Sequence, residues 1–308
     1  MPLKPLIDIH QLTINTTSKG TERHKKGVKP LPHNEIISIF AHLTSSSSAM
    51  RLRHILLIYA WLLACAASAQ GHNDTIRVMT FNIHAGHDAS LQEIGQFIKQ
   101  YQPDFVALQE VDQNTRRANC PHQNNRDFIT ELAHYSGMQG LFGPTIKFSG
   151  GHYGIGLLTR HQFVDVHNIK LPHPVDRMEQ RGLLQGTFIL ADGDTIMFAC
   201  THIEAFDSVS RSAQAQFILD HFSNASLPVI LAGDFNVSPG DPVIGRLMSK
   251  WLDCTTGDFT FSVATPTEKI DYILTQPKQA WHTIDSQVIP VELSDHYPVI
   301  ATLVLTHN

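Results

Sequence analysis

Several apolar runs in this chain end in groups that could hold a cation or move a proton. The run 228–232 closes on Gly233, Asp234, Phe235 and Asn236, which places a carboxylate and an amide two residues apart. Asn82 follows 76–81, Glu110 follows 105–108, and His202 follows 196–200. Asp295 and His296 precede 298–305, and Asp271 stands within 269–274. Taken singly, a strand-end Asp or Asn is commonly a turn former or a helix cap, and His202 reads as a polar loop residue. Asp271 is harder to explain that way, because a carboxylate in an apolar strand is costly unless paired or bound to a cation. Together the groups have a chemistry. Carboxylate, amide and water oxygens suit Mg²⁺. A His beside a carboxylate can take a proton from water near neutral pH. The combination fits metal-assisted attack of water on a phosphate ester.

Such groups need a scaffold that gathers strand ends at one edge. Short apolar runs predict strands over 76–81, 105–108, 155–159, 183–190, 195–200, 229–232, 270–274 and 298–305. Between them, Ser90 and Glu93 form a capping box opening a helix whose apolar face is Leu91, Ile94, Ile98 and Tyr101, stopped by Pro103. A second helix runs over 127–135 and closes at Gly137, and a third spans 210–222 with Ala213, Phe217 and Phe222 inward. Asp241 caps a fourth, with Pro242 at its first position. Asp234 and Asn236 share a face if their strand continues through both. Early β–α–β alternation followed by strand-rich stretches predicts an α/β fold with mixed sheets.

The chain has 308 residues, 42% hydrophobic and 17% charged, which suits a globular protein with a sizeable core. Residues 1–49 show no sustained period and are expected to be a non-native or disordered leader. Met50, Arg51, Arg53 and His54 precede the apolar stretch 55–63, and Ala67-Ser68-Ala69 follows. This is the layout of a secretory signal peptide over 50–69, ahead of one domain over 70–308. Export to the periplasm or the exterior is therefore expected. Cys65, at the end of a lipobox-like Leu62-Leu63-Ala64, offers a lipid anchor as the alternative. From Gln70 onward, 15 Lys and Arg stand against 25 Asp and Glu, a formal charge of −10. A broad basic face for duplex nucleic acid is not advertised. Cys200 reads as a buried thiol, and Cys120 and Cys254 could pair in an oxidising compartment. No C-x-x-C occurs, which argues against a thiolate zinc site. His84 and His87 lie in a Gly-containing run and read as loop histidines rather than a zinc pair.

The stretches "MTFNIH" (79–84), "LQEVD" (108–112), "THIEA" (201–205), "GDFNVSPGD" (233–241), "KIDYIL" (269–274) and "SDHYPV" (294–299) resemble the endonuclease/exonuclease/phosphatase superfamily in type and order. The resemblance implies a four-layer α/β/β/α sandwich, two packed mixed β-sheets with helices outside. It implies Glu110 as the principal ligand of Mg²⁺ (Mn²⁺ or Ca²⁺ as alternatives), with Asn82 beside it and Asp295 close to the metal. Asp234 and Asn236 would orient water and phosphate. His296 would be general base or transition-state partner, oriented by Asp271, and His202 would contact a phosphate oxygen. The abasic-site nuclease branch carries Tyr at that last position, so His202 counts against it.

Arg181, in "EQRGLLQG", and Arg116 or Arg117 could clamp phosphate oxygens. Tyr153 and Gly154 are further candidates for the cleft wall. The implied activity is a phosphodiesterase or nuclease. A phosphatase, or a phospholipase-C- or sphingomyelinase-like hydrolase, is the alternative, and a non-catalytic domain of the same fold a remote one. Nucleic acid, a phospholipid or a small phosphate ester is the expected partner, with no stable protein partner and a monomeric chain. Trp251, Trp281 and Phe259 to Phe261 could dock a membrane, and core packing explains them equally well.

Overall fold

Two six-stranded mixed sheets form in this computed structural model, which describes residues 75–306. The expected leader 1–49, the signal segment 50–69 and Cys65 lie outside the described residues. One sheet contains β1 (Thr75–Asn82), β2 (Phe105–Gln113), β3 (Gln139–Phe148), β4 (Gly151–Thr159), β11 (Trp281–Val288) and β12 (Val299–Leu305). The other contains β5 (Gln162–Lys170), β6 (Gly182–Ile189), β7 (Thr195–His202), β8 (Val229–Asp234), β9 (Leu252–Asp253) and β10 (Asp271–Gln276). Their orders are β11-β12-β1-β2-β4-β3 and β5-β6-β7-β8-β10-β9. Each sheet has one parallel pair at its centre, β1 with β2 and β7 with β8, and antiparallel neighbours elsewhere.

A helix makes each parallel crossover: α1 (Leu91–Tyr101) joins β1 to β2, and α3 (Ser208–Phe222) joins β7 to β8. With α2 (Phe128–Ser136) and α4 (Pro242–Lys250) they form the outer layers. The period of two along each strand separates three cores. Val78, Phe105, Leu157, Leu184, Phe198 and Ile230 meet between the sheets. Met79, Phe81, Val106 and Leu108 face the other way, onto Leu91 and Ile94 of α1 and Leu132 of α2. Ala199, Leu231 and Tyr272 do the same against Ile218 and Phe222 of α3 and Leu247 of α4. The four-layer sandwich follows from these two-faced strands.

Several local expectations change. Strands β3, β5 and β11 were not legible, because each lies toward a sheet edge and many of its residues are exposed, so the apolar period is weak. On α3 the buried face is Ser210, Gln214, Ala215, Ile218 and Phe222, not Ala213 and Phe217. Gln214 turns inward to accept from Glu204 N (2.8 Å) and to donate to Pro172 O (3.2 Å), and Ala213 and Phe217 are half-buried beside that face. Cys120, Cys200 and Cys254 are free, buried thiols. Cys120 faces Gly86 O at 3.5 Å, while Cys254 faces Thr275 Oγ1 at 3.4 Å in the inter-sheet core. Trp251 and Trp281 are buried in cores, and only Phe259 of the aromatic docking candidates is exposed.

Candidate active site

Parallel strands bring like ends together, and both central pairs present their C-terminal ends at one edge of the sandwich. In β1 and β2, Asn82 pairs with Gln109, just before Glu110. In β7 and β8, His202 pairs with Asp234. The antiparallel neighbours begin there: Asp271 opens β10 directly opposite Asp234, and His296 lies just ahead of β12. Ligand sites outside the carboxyl ends of strands are the general outcome of such topology.

Asn82 links the two sheets. Its Nδ2 donates to Glu110 Oε1 (3.2 Å) and Asp234 Oδ2 (3.1 Å), and lies 3.4 Å from His296 Nε2. Its Oδ1 accepts from His84 N (3.0 Å), which sets the amide's orientation. Asn82 therefore presents its donor side to its carboxylate neighbours. Glu110 reaches the cleft through a β-bulge: the β2–β4 register shifts between Leu108 and Val111, and Glu110 has φ +59°. A bulge re-aims a side chain at the cost of a left-handed backbone, a strain typical of functional positions.

Asp234 and Asn236 do not share a strand face. Strand β8 ends at Asp234, and Asn236 turns at φ +50°. Asn236 N donates to Asp234 Oδ1 (2.9 Å) and its Nδ2 to Ile203 O (3.0 Å). His296 Nδ1 lies 2.9 Å from Asp271 Oδ2, and its Nε2 lies 3.7 Å from Asp234 Oδ2. A proton shared on that Nδ1 side turns Nε2 toward the cleft. His202 Nε2 is 3.5 Å from the same Asp234 oxygen. Asp295 Oδ1 accepts from Ser294 Oγ (3.3 Å) and lies 3.7 Å from His84 Nδ1. His84 and His87 stack at 4.6 Å within their loop.

Burial opposes charge on His296, yet the charge and hydrogen bond of Asp271, then Asp234 and Asp295, push its imidazole up to about 10. Burial, then the facing Asp271, raises the Asp234 carboxyl. His202 is held well below the usual histidine range by burial, then by Arg181 and His296. Asp234, Asp271 and His296 bring three possible ligand atoms within 4.8 Å of one another. Glu110 and Asp295 add two carboxylates at the cleft. The donors are hard oxygens in excess over cationic side chains, and they fit a divalent cation.

The cleft encloses about 460 Å³. Arg181 forms part of its wall, buried, with Nη1 3.0 Å from Glu179 Oε1 and Nε 3.5 Å from Glu204 Oε2. Tyr153 stands beside it. Arg116 does not line the cleft: it is exposed, and its Nε donates to Asn125 Oδ1 (2.8 Å). Of this pair, Arg117 is the one that borders Tyr153, bound to both oxygens of Asp112 and 5.3 Å from the Tyr153 ring. Sequence reasoning passed over Glu179 and Glu204, although the motifs "EQRG" and "THIEA" contain them. It also passed over Phe206, which carries no local signal. A larger open groove of about 710 Å³, near Arg246 and Lys278, contains none of the strand-end groups.

A four-layer sandwich with carboxylates, an amide and histidines gathered at one edge is the class of protein this fold defines. The profile of the Endonuclease/Exonuclease/phosphatase family matches residues 79–296, and the chain belongs to that family. It is 28% identical to human nocturnin over 169 residues, 50% of this chain and 37% of that protein. It is 25% identical to exodeoxyribonuclease III of Haemophilus influenzae over 203 residues, 60% of this chain and 67% of the other. The chain thus spans well under half the length of the nocturnins it matches. An endonuclease/exonuclease/phosphatase from Beutenbergia cavernae shares the fold, with a TM-score of 0.64 and 24% identity over 75% of this chain and 72% of that one. So does a mannosyl-6-phosphatase of Bacteroides thetaiotaomicron, at 0.60 and 19% over 75% of this chain and all of that one (100%).

Proposed function

We propose that the protein is a secreted, Mg²⁺-dependent hydrolase of phosphate esters. The observation that carries this is the buried Asp271–His296–Asp234 constellation, joined through Asn82 to the re-aimed Glu110. Asp234 and Asn236 hold and orient a water whose oxygen attacks phosphorus. Its proton passes to Asp234 as the bond to the leaving oxygen breaks, while His296, kept protonated by Asp271, donates from Nε2 to the phosphoryl oxygens and solvent protonates the leaving oxygen. Asp271 keeps the imidazole in register throughout. Glu110 and Asp295 would hold the cation, which supplies Lewis-acid stabilisation of the phosphoryl oxygens. Arg181 and Tyr153 lie where non-bridging oxygens would rest, with His202 as a neutral partner.

Sequence reasoning puts a phosphodiester or nucleic acid first. The size of the cleft, the Glu179 in its wall and the −10 charge of residues 70–308 favour a compact ester instead. The phosphodiesterase reading stands second, supported by the exodeoxyribonuclease III relative. Export rests on the segment 50–69 and is tested by N-terminal sequencing of the mature protein. For the activity, purified protein is offered sugar phosphates, mononucleotides, plasmid DNA, RNA and sphingomyelin, with Mg²⁺ or with EDTA. Hydrolysis that stops in EDTA and returns with Mg²⁺ is expected. Turnover that survives EDTA would remove the metal from the mechanism. Glu110→Ala should weaken Mg²⁺ binding, and an unchanged metal titration would place the cation elsewhere.

A further inference from the structure

Phe206 is 91% exposed, the most exposed large apolar side chain among the described residues, and it stands on the rim of the cleft. Exposing a phenyl ring to water is unfavourable, so a floppy loop would tend to fold it down. Here the backbone on both sides of the ring is held. Phe206 N donates to Glu204 Oε1 (2.9 Å), and Glu204 is buried. Arg211 Nη1 ties down Glu204 O (3.0 Å) and Ala205 O (2.7 Å), and Asp207 Oδ2 accepts from Ser210 N (2.7 Å) to start α3. The loop is braced from both sides, with the ring directed out at the mouth.

The same Glu204 carboxylate faces the phosphate side. Its Oε2 lies 3.5 Å from Arg181 Nε, and both atoms are buried without a hydrogen-bond partner among the described residues. One carboxylate therefore sets the spacing between a buried guanidinium and an exposed aromatic face. We infer that Phe206 is a specificity-determining residue, packing on the flat face of a ring joined to the phosphate that Arg181 receives, and that Glu204 is the positioning residue between them. This rests on the reading of the cleft as a phosphate-ester site. The ligand is a phosphate ester bearing a nucleobase or the C–H face of a sugar ring.

Calorimetric titration of the full chain with Mg²⁺ tests this without requiring turnover. The probes are inorganic phosphate, glycerol 3-phosphate, adenosine 5′-monophosphate and a hexose 6-phosphate. At least one ring-bearing probe should bind wild type about tenfold tighter than glycerol 3-phosphate. Which one it is distinguishes base from sugar. Phe206→Ala should lose about five- to a hundredfold on that probe, the range for stacking on an aromatic side chain. Its affinity for inorganic phosphate should stay unchanged, and Phe206→Tyr should retain the preference. An exposed side chain is not needed for folding, so Phe206→Ala isolates the contact. Glu204→Ala should lose the ring preference and Glu204→Gln, which can still accept from Phe206 N, should restore it. A preference that survives Phe206→Ala, or wild type that binds no ring-bearing probe better than glycerol 3-phosphate, overturns the inference. Failure of wild type to bind any phosphate would overturn the hydrolase reading as well.

Discussion

Asp234 and Asp271 face each other across an antiparallel pair, both buried, an arrangement that like charges resist. It persists because His296 lies between them and because Asn82 and Asn236 N donate to Asp234. Two carboxylates and an imidazole kept this close in low dielectric are ready for proton transfer. His296→Ala and Asp234→Asn should each lower kcat roughly 10²-fold or more, the usual scale for losing a positioned acid or base. Steady-state kinetics on the best substrate decides it, and wild-type turnover in either variant would reassign the roles. At this scale the residue types after each apolar run were readable, because they are covalently adjacent to the run. Which atom each presents was not. Asn82, expected beside Glu110 and the metal, presents its amide nitrogen to Glu110 and Asp234, because its oxygen accepts from His84 N.

The elements work by ending where they do. The β2 bulge aims Glu110, and β8 stops at Asp234 because Asn236 turns left-handed. Gly233 permits the close approach of β7 and β8: a Cβ there would lie 2.1 Å from Thr201 O. Gly233→Ala should therefore destabilise by about 1–3 kcal/mol, as overpacking does. The urea midpoint would fall, and an unmoved midpoint would show that the two strands can separate without cost. At the start of α1, Ser90 accepts from Glu93 N at 3.2 Å and Glu93 Oε2 from Ser90 N at 2.9 Å. Ser90→Ala should cost about 1 kcal/mol by the same measurement. Caps, crossover helices and central strands were legible because their signals lie within a few residues. The edge strands β3, β5 and β11 were not, because half-solvated strands lose the apolar period that reveals them.

Across the whole molecule, the buried site couples stability to pH. His202 stays neutral when folded but takes a proton near 6.5 when unfolded. The unfolded state then binds more protons below pH 6.5, so His202 makes the protein less stable as pH falls through that value. His296 acts oppositely: its contribution is present below 6.5 and is lost as pH rises through about 10. In metal-free protein, His202→Gln should flatten the loss of stability between pH 6.5 and 5. Parallel urea-midpoint curves for variant and wild type would assign that acid sensitivity to other groups.

By itself the sequence determined the family, the order of strand ends and the acidic, cation-seeking character of the site, because each is written in residues next to one another in the chain. The tertiary structure alone decided that Arg117 rather than Arg116 borders Tyr153, that Glu179 and Glu204 brace Arg181, and that Phe206 stands in solvent beside the buried charges. Those are contacts between loops far apart in sequence, and their geometry exists only once two sheets have packed and brought their carboxyl ends to one edge.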